Sequence, residues 1–107
     1  MIAALVVLEL HLPGAASLKD KRGPVRSLSA GLRNDLKVSV AEVGHHDLWQ
    51  RARLGVAIAA SSETGARRVA QDVEERCDRD PRVEVLAVHV EVVESEEDGA
   101  WDRAWRE

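Results

Sequence analysis

Three groups of residues in this chain carry side chains with chemistry to offer. The first is a row of cations, Lys19, Lys21, Arg22, Arg26, Arg33 and Lys37, opposed over that stretch only by Asp20 and Asp35. On a helix turning about 100° per residue, Lys19, Arg22, Arg26, Arg33 and Lys37 project within about 60° of one another. A basic stripe of this kind suits a nucleic-acid phosphate backbone. Cations at a helix start also oppose the helix dipole, an opposition that a bound anion relieves. If the helix begins at Pro24, that second argument falls away. The plainer reading of the stripe is a solvated face with internal ion pairs.

The second group comprises Glu9, His11, Arg51, Arg53, His89 and Glu91, which period-two alternation places on one face of a sheet with Ser39, Ala41, Gly55 and Ala57 as small neighbours. These charges suit cross-strand pairing, and the face suits a second copy of the chain. It carries no Phe, Tyr or Trp, so the standard stacking of RNA bases is not expected there. His11 and His89 fall on strands expected to be neighbours and are read as a surface pair.

The third group is His45-His46-Asp47. Adjacent loop residues seldom converge on one ion, and no fourth ligand follows at a suitable spacing, so no metal is expected. Glu42 is expected to pair with Arg51 or Arg53, and Trp49 to cap the edge of the core. Cys77 reads as a small buried hydrophobe. The sequence has no recognisable acid–base pair, Ser/His/Asp set or phosphate-cradling glycine loop, so neither an enzyme nor a cofactor is expected.

Positioning these groups takes six elements. Residues 2–12 alternate as a strand, with Ile2, Ala4, Val6, Leu8, Leu10 and Leu12 on one face, stopped by Pro13-Gly14. Residues 18–36 carry a helical stripe of Leu18, Val25, Leu28, Leu32 and Leu36. Its start lies either at the Ser17 cap or near Pro24. Strands follow at about 38–43 and at 51–60, the latter turning Ala52, Leu54, Val56 and Ile58 inward. Ser61-Ser62 opens a second helix with Ala66, Val69, Ala70, Val73 and Cys77 in its stripe, ended by Asp80-Pro81. Residues 82–93 form the last strand, with Leu86, Val88, Val90 and Val92 on one face. The order predicts an α+β, ferredoxin-like βαββαβ sandwich. Its four-stranded antiparallel sheet carries two helices on one face, and the first strand lies between the third and fourth.

With 107 residues the chain holds one domain, expected over 1–94. An apolar fraction of 45% excludes disorder, and the absence of Phe and Tyr makes the core aliphatic. The net charge of −4 belongs to residues 94–107, because residues 1–93 balance thirteen acids against thirteen bases. Residues 95–107 read as a flexible acidic tail, in which Trp101 and Trp105 are spaced to form a short docking helix. A lone cysteine needs no oxidising compartment, and no apolar run spans a bilayer, so a cytoplasmic protein without membrane contact is expected.

The blocks Leu10-His11-Leu12-Pro13-Gly14, Ser17-Leu18-Lys19-Asp20-Lys21-Arg22, Val38 to Gly44, and Asp47-Leu48-Trp49-Gln50-Arg51 running on to Leu54-Gly55-Val56-Ala57 resemble the bacterial YlxP-like family over about residues 1–93. This sequence departs from the family pattern at Gly23-Pro24 and in residues 95–107. The resemblance implies a small ferredoxin-like protein of unassigned biochemical function. It also implies genes that sit among those for translation initiation and ribosome maturation. The expected role is a non-enzymatic accessory protein near ribosomal RNA or a ribosomal particle; the alternative is a homodimeric interaction module using the open sheet face.

Overall fold

The computed structural model of the protein describes residues 1–96. Its elements are β1 (Ile2–His11), α1 (Leu18–Leu36), β2 (Ser39–Gly44), β3 (Arg51–Ala60), α2 (Glu63–Asp78) and β4 (Glu84–Glu94). The sheet order is β2-β3-β1-β4, antiparallel throughout, with β1 between β3 and β4 as the βαββαβ order predicts. Both helices cover one face. Ile2, Ala4, Val6, Leu8 and Leu10 of β1 are buried with Ala52, Leu54, Val56 and Ile58 of β3. Val25, Leu28 and Leu32 of α1 and Ala66, Ala70, Val73 and Cys77 of α2 close the core over them. Val69 and Leu36 are half-buried at its margin.

The helix starts follow from their caps. Ser17 is extended, and its Oγ accepts from the Asp20 amide at 3.0 Å, while Asp20 Oδ2 accepts from the Ala16 amide at 3.1 Å. Ser62 Oγ accepts from the Gly65 amide at 3.1 Å. Each such cap contributes about 1 kcal/mol.

Of the two starts open to α1, the structure takes Ser17, and the helix runs straight through Pro24. Gly23 makes this passage possible, since without a Cβ it avoids the clash that a proline ring imposes on its predecessor. The Asp20 carbonyl still loses the amide that position 24 would donate. Pro24→Ala is therefore expected to stabilise the fold by about 1 kcal/mol, the restored bond outweighing the entropy regained by the unfolded chain. The urea midpoint, followed by circular dichroism, checks it.

In β4 the expected face holds except at Leu86. The pairing passes from Glu9 with Ala87 to Leu10 with Val85, so Leu86 bulges out and is 46% exposed. Val85 takes its place against the core. Leu18 also leaves the stripe and stands 38% exposed at the first turn of α1. No helix among the described residues is long and apolar enough to cross a membrane. The expectations for Trp101, Trp105 and most of the acidic tail lie outside the described residues.

Candidate functional site

The cations of α1 divide by what lies beside them. The helix packs along edge strand β2, leaving between them a groove of about 410 Å³. Arg22, Arg26 and Arg33 line it from α1, with Leu18 and Val25 as apolar wall, and His46 reaches it from the β2–β3 connection. Arg22 and Arg26 are exposed and have no ion-pair or hydrogen-bond partner among the described residues. Arg33 Nη2 donates to the Val40 carbonyl at 2.8 Å, so it is anchored to the backbone of β2 without being neutralised.

Three members of the row depart from expectation. Lys21 is 3% exposed: its Nζ donates to the His45 carbonyl at 2.8 Å and meets Glu42 Oε1 at 3.3 Å. It turns away from solvent at the groove floor, where it and Glu42 cancel. Lys37 leaves the helical track, because it is the left-handed C-cap at φ 56°, ψ 45° that bends the chain into β2. Lys19 is exposed but does not line the groove. The groove's uncompensated charge is thus Arg22, Arg26 and Arg33.

Glu42 pairs with neither Arg51 nor Arg53. Alternation from Val40 already places it on the helix side of β2, and there Lys21 meets it. That parity is the signal the sequence offered. His46 at the groove had no such signal, because a loop side chain's direction depends on tertiary packing.

On the open sheet face, Glu9 is the hub. Arg53 Nε donates to Glu9 Oε1, Arg51 Nη2 lies 3.5 Å from Oε2, and His45 Nε2 lies 2.9 Å from Oε2. The Arg53 hydrogen bond, and after it the one from His45, hold the Glu9 carboxyl below its ordinary pKa against the opposing effect of burial. His45 itself sits at φ 58°, a left-handed conformation unusual for a side chain with a Cβ. In that pose its carbonyl faces Lys21 while its ring reaches Glu9, so one residue ties α1 to the opposite side of the sheet.

His11 and His89 do not meet. His11 Nδ1 contacts Glu84 at 3.2 Å, while His89 stands opposite Val7, and Glu91 opposite Leu5. The polar half of this face is what alternation placed there. The other half is apolar: Leu5, Val43 and Val93 are 44%, 50% and 44% exposed. With Val7, Ala41 and Ala57, Leu5 and Val43 border a shallow depression of about 360 Å³. Val43 bulges from β2 and lies over Gly55, where a Cβ would come within 2.9 Å of its Cγ1. β1 is apolar on both faces as far as Val7, which is how Leu5 and Val7 come to lie outside.

Among the described residues no group of three or more metal-ligating side chains converges. His45 and His46 diverge, the first to Glu9 and the second to the Glu42 carbonyl at 3.1 Å. Trp49 is not at the core's edge: it stands in the connection before β3, 55% exposed beside Leu48. Cys77 is fully buried, as expected, and desolvation, with Asp78 and Asp80 nearby, pushes its thiol up to about 12.

Comparison with known proteins adds identity to this geometry. A family model described as "Protein of unknown function (DUF503)" matches residues 3–90. The "Uncharacterized protein YlxP" of Bacillus subtilis (strain 168) is 34% identical over 70 residues, which make up 65% of this chain and 76% of that protein. The solution NMR structure of a de novo designed protein with a ferredoxin fold matches with a TM-score of 0.56, covering 94% of this chain and 92% of its own, at 16% identity. That likeness is one of fold alone. With its family match running through all six elements as far as Val90, the chain belongs to the DUF503 family, the YlxP-like group that its Ser17–Arg22 block resembles.

Proposed function

We propose that this protein is a non-enzymatic accessory factor of the cytoplasm that grips RNA phosphate, ribosomal RNA foremost, along the groove between α1 and β2. The observation that carries this reading is the pair Arg22 and Arg26, exposed and unpartnered among the described residues, beside an Arg33 already fixed in place. Guanidinium groups suit phosphate oxygens in a fork geometry, and the apolar wall strengthens charge–charge contact by excluding water. The open face carries no Phe, Tyr or Trp, which argues for backbone contact over base reading. The implied gene neighbourhood makes ribosomal particles the first probe.

Cosedimentation with ribosomal subunits at two salt concentrations tests this. Arg22→Glu with Arg26→Glu is expected to lower retention at least about tenfold and to shallow the salt dependence by about two phosphate contacts. Arg33 is spared because it also holds Val40. No retention of the wild type at low salt, or equal retention of the double variant, defeats the reading.

A second reading is favoured by the exposed Leu5, Val43 and Val93, a patch suited to a second copy packing face to face. Its test is Leu5→Lys, which must abolish any such dimer in sedimentation.

A further inference from the structure

The two edges of the sheet are built differently. β2 is six residues long, is broken by the Val43 bulge, and has its Val40 carbonyl taken by Arg33. Such features blunt a free edge. β4 has none of them over most of its length. It runs eleven residues without proline or lysine, and its one irregularity, at Leu86, leaves Ala87 to Val93 in regular pairing with β1. Among the described residues no side chain takes a carbonyl of that stretch as Arg33 takes that of Val40. Its inward residues are also incompletely covered. Val88, Val90 and Val92 are half-buried, whereas Ile2, Ala4, Val6, Leu8 and Leu10 of neighbouring β1 are buried.

We propose that β4 pairs antiparallel with β4 of a second copy, about a twofold axis through Val90, joining the two sheets edge to edge. The side chains select this register. An axis through Glu91 sets two carboxylates against each other, and one through His89 sets two imidazoles face to face. An axis through Val90 places His89 opposite Glu91 of the partner subunit, twice, on the open face. On the helix side it places Val90 against its own copy and Val88 against Val92 of the partner subunit. Those half-buried valines then extend two cores into one, and each imidazole can donate to the carboxylate opposite it. The contact differs from face-to-face packing and lies at the edge opposite the α1 groove, so its failure leaves the RNA reading standing.

Sedimentation of the full chain at micromolar concentration tests it, with circular dichroism confirming that each variant is folded. The wild type is expected to be a dimer. His89→Glu puts carboxylates opposite Glu91 of the partner subunit at two places and is expected to raise the dissociation constant about tenfold. Adding Glu91→His to that variant exchanges the two side chains and restores the wild-type value. Leu5→Lys leaves the dimer intact. As an independent measurement, Val90→Cys joins two chains covalently on mild oxidation, with Cys77 buried and out of reach. A strict monomer, a dimer indifferent to His89→Glu, a swap that fails to restore association, or a dimer lost with Leu5→Lys overturns the proposal.

Discussion

Replacing Lys21 with methionine is expected to lower the stability of the fold by about 3 kcal/mol, seen as a fall of about 15 °C in Tm. The side chain is 4% exposed, and its ammonium serves two acceptors, Glu42 and the His45 carbonyl. Methionine fills much the same space but satisfies neither. Glu42, with its side chain only 23% exposed, keeps a charge that water reaches poorly, and the carbonyl loses its donor. Changing Glu42 to leucine as well should recover most of the loss, because a buried pair replaced by apolar side chains is often close to neutral. A loss below about 1 kcal/mol in the single variant would mean that the ammonium is hydrated, contrary to the geometry. Since Lys21 also cancels Glu42 at the groove floor, the single variant should bind anions more weakly, and the double variant should not.

Leu8→Ala is expected to cost about 3–4 kcal/mol, the largest loss of any single truncation in the sheet. Leu8 is fully buried in the central strand, opposite Leu54 of β3 and Val88 of β4. Strands hydrogen-bonded on both sides cannot move in to fill the space, so the cavity term persists. Leu5, three residues earlier in the same strand, is the internal control: it is 44% exposed, and Leu5→Ala should change stability by no more than about 0.5 kcal/mol. Urea unfolding followed by far-ultraviolet circular dichroism measures both. Similar losses at the two leucines would contradict the facing of β1.

The elements were legible because each carries a dominant apolar row, most of them closed by a clear stop. The inward row of β1 ends at Pro13-Gly14, and α2 opens at Ser62 and closes before Pro81. What the sequence concealed lies where two elements meet. A helical projection puts Lys21 within a basic segment, yet whether its flank sees water depends on where the loop after β2 passes, and His45 passes directly over it. The bulge at Leu86 is likewise invisible, because it arises from how β1 and β4 settle their mutual register. Trp49, expected to cap the edge of the core at the start of β3, stands instead in a connection held by Gln50, whose amide donates to Pro13 and Ala15. Glu42 was readable from the parity of Val40, and Leu5 and Val7 from the unbroken apolar run of β1.

The central place of β1 also bears on how the molecule is made. Every ladder bond it forms runs to a segment synthesised much later, at the earliest Arg51 and at the latest Glu94. Until β3 emerges, the two aliphatic rows of β1 have only α1 and β2 for company, and α1 packs toward β2. Closure waits for the final strand to leave the exit tunnel, so folding is paced by long-range loop closure and not by helix formation. Until Glu84–Glu94 emerges, the β4 side of β1 stays unpaired, an aliphatic edge open to chaperones.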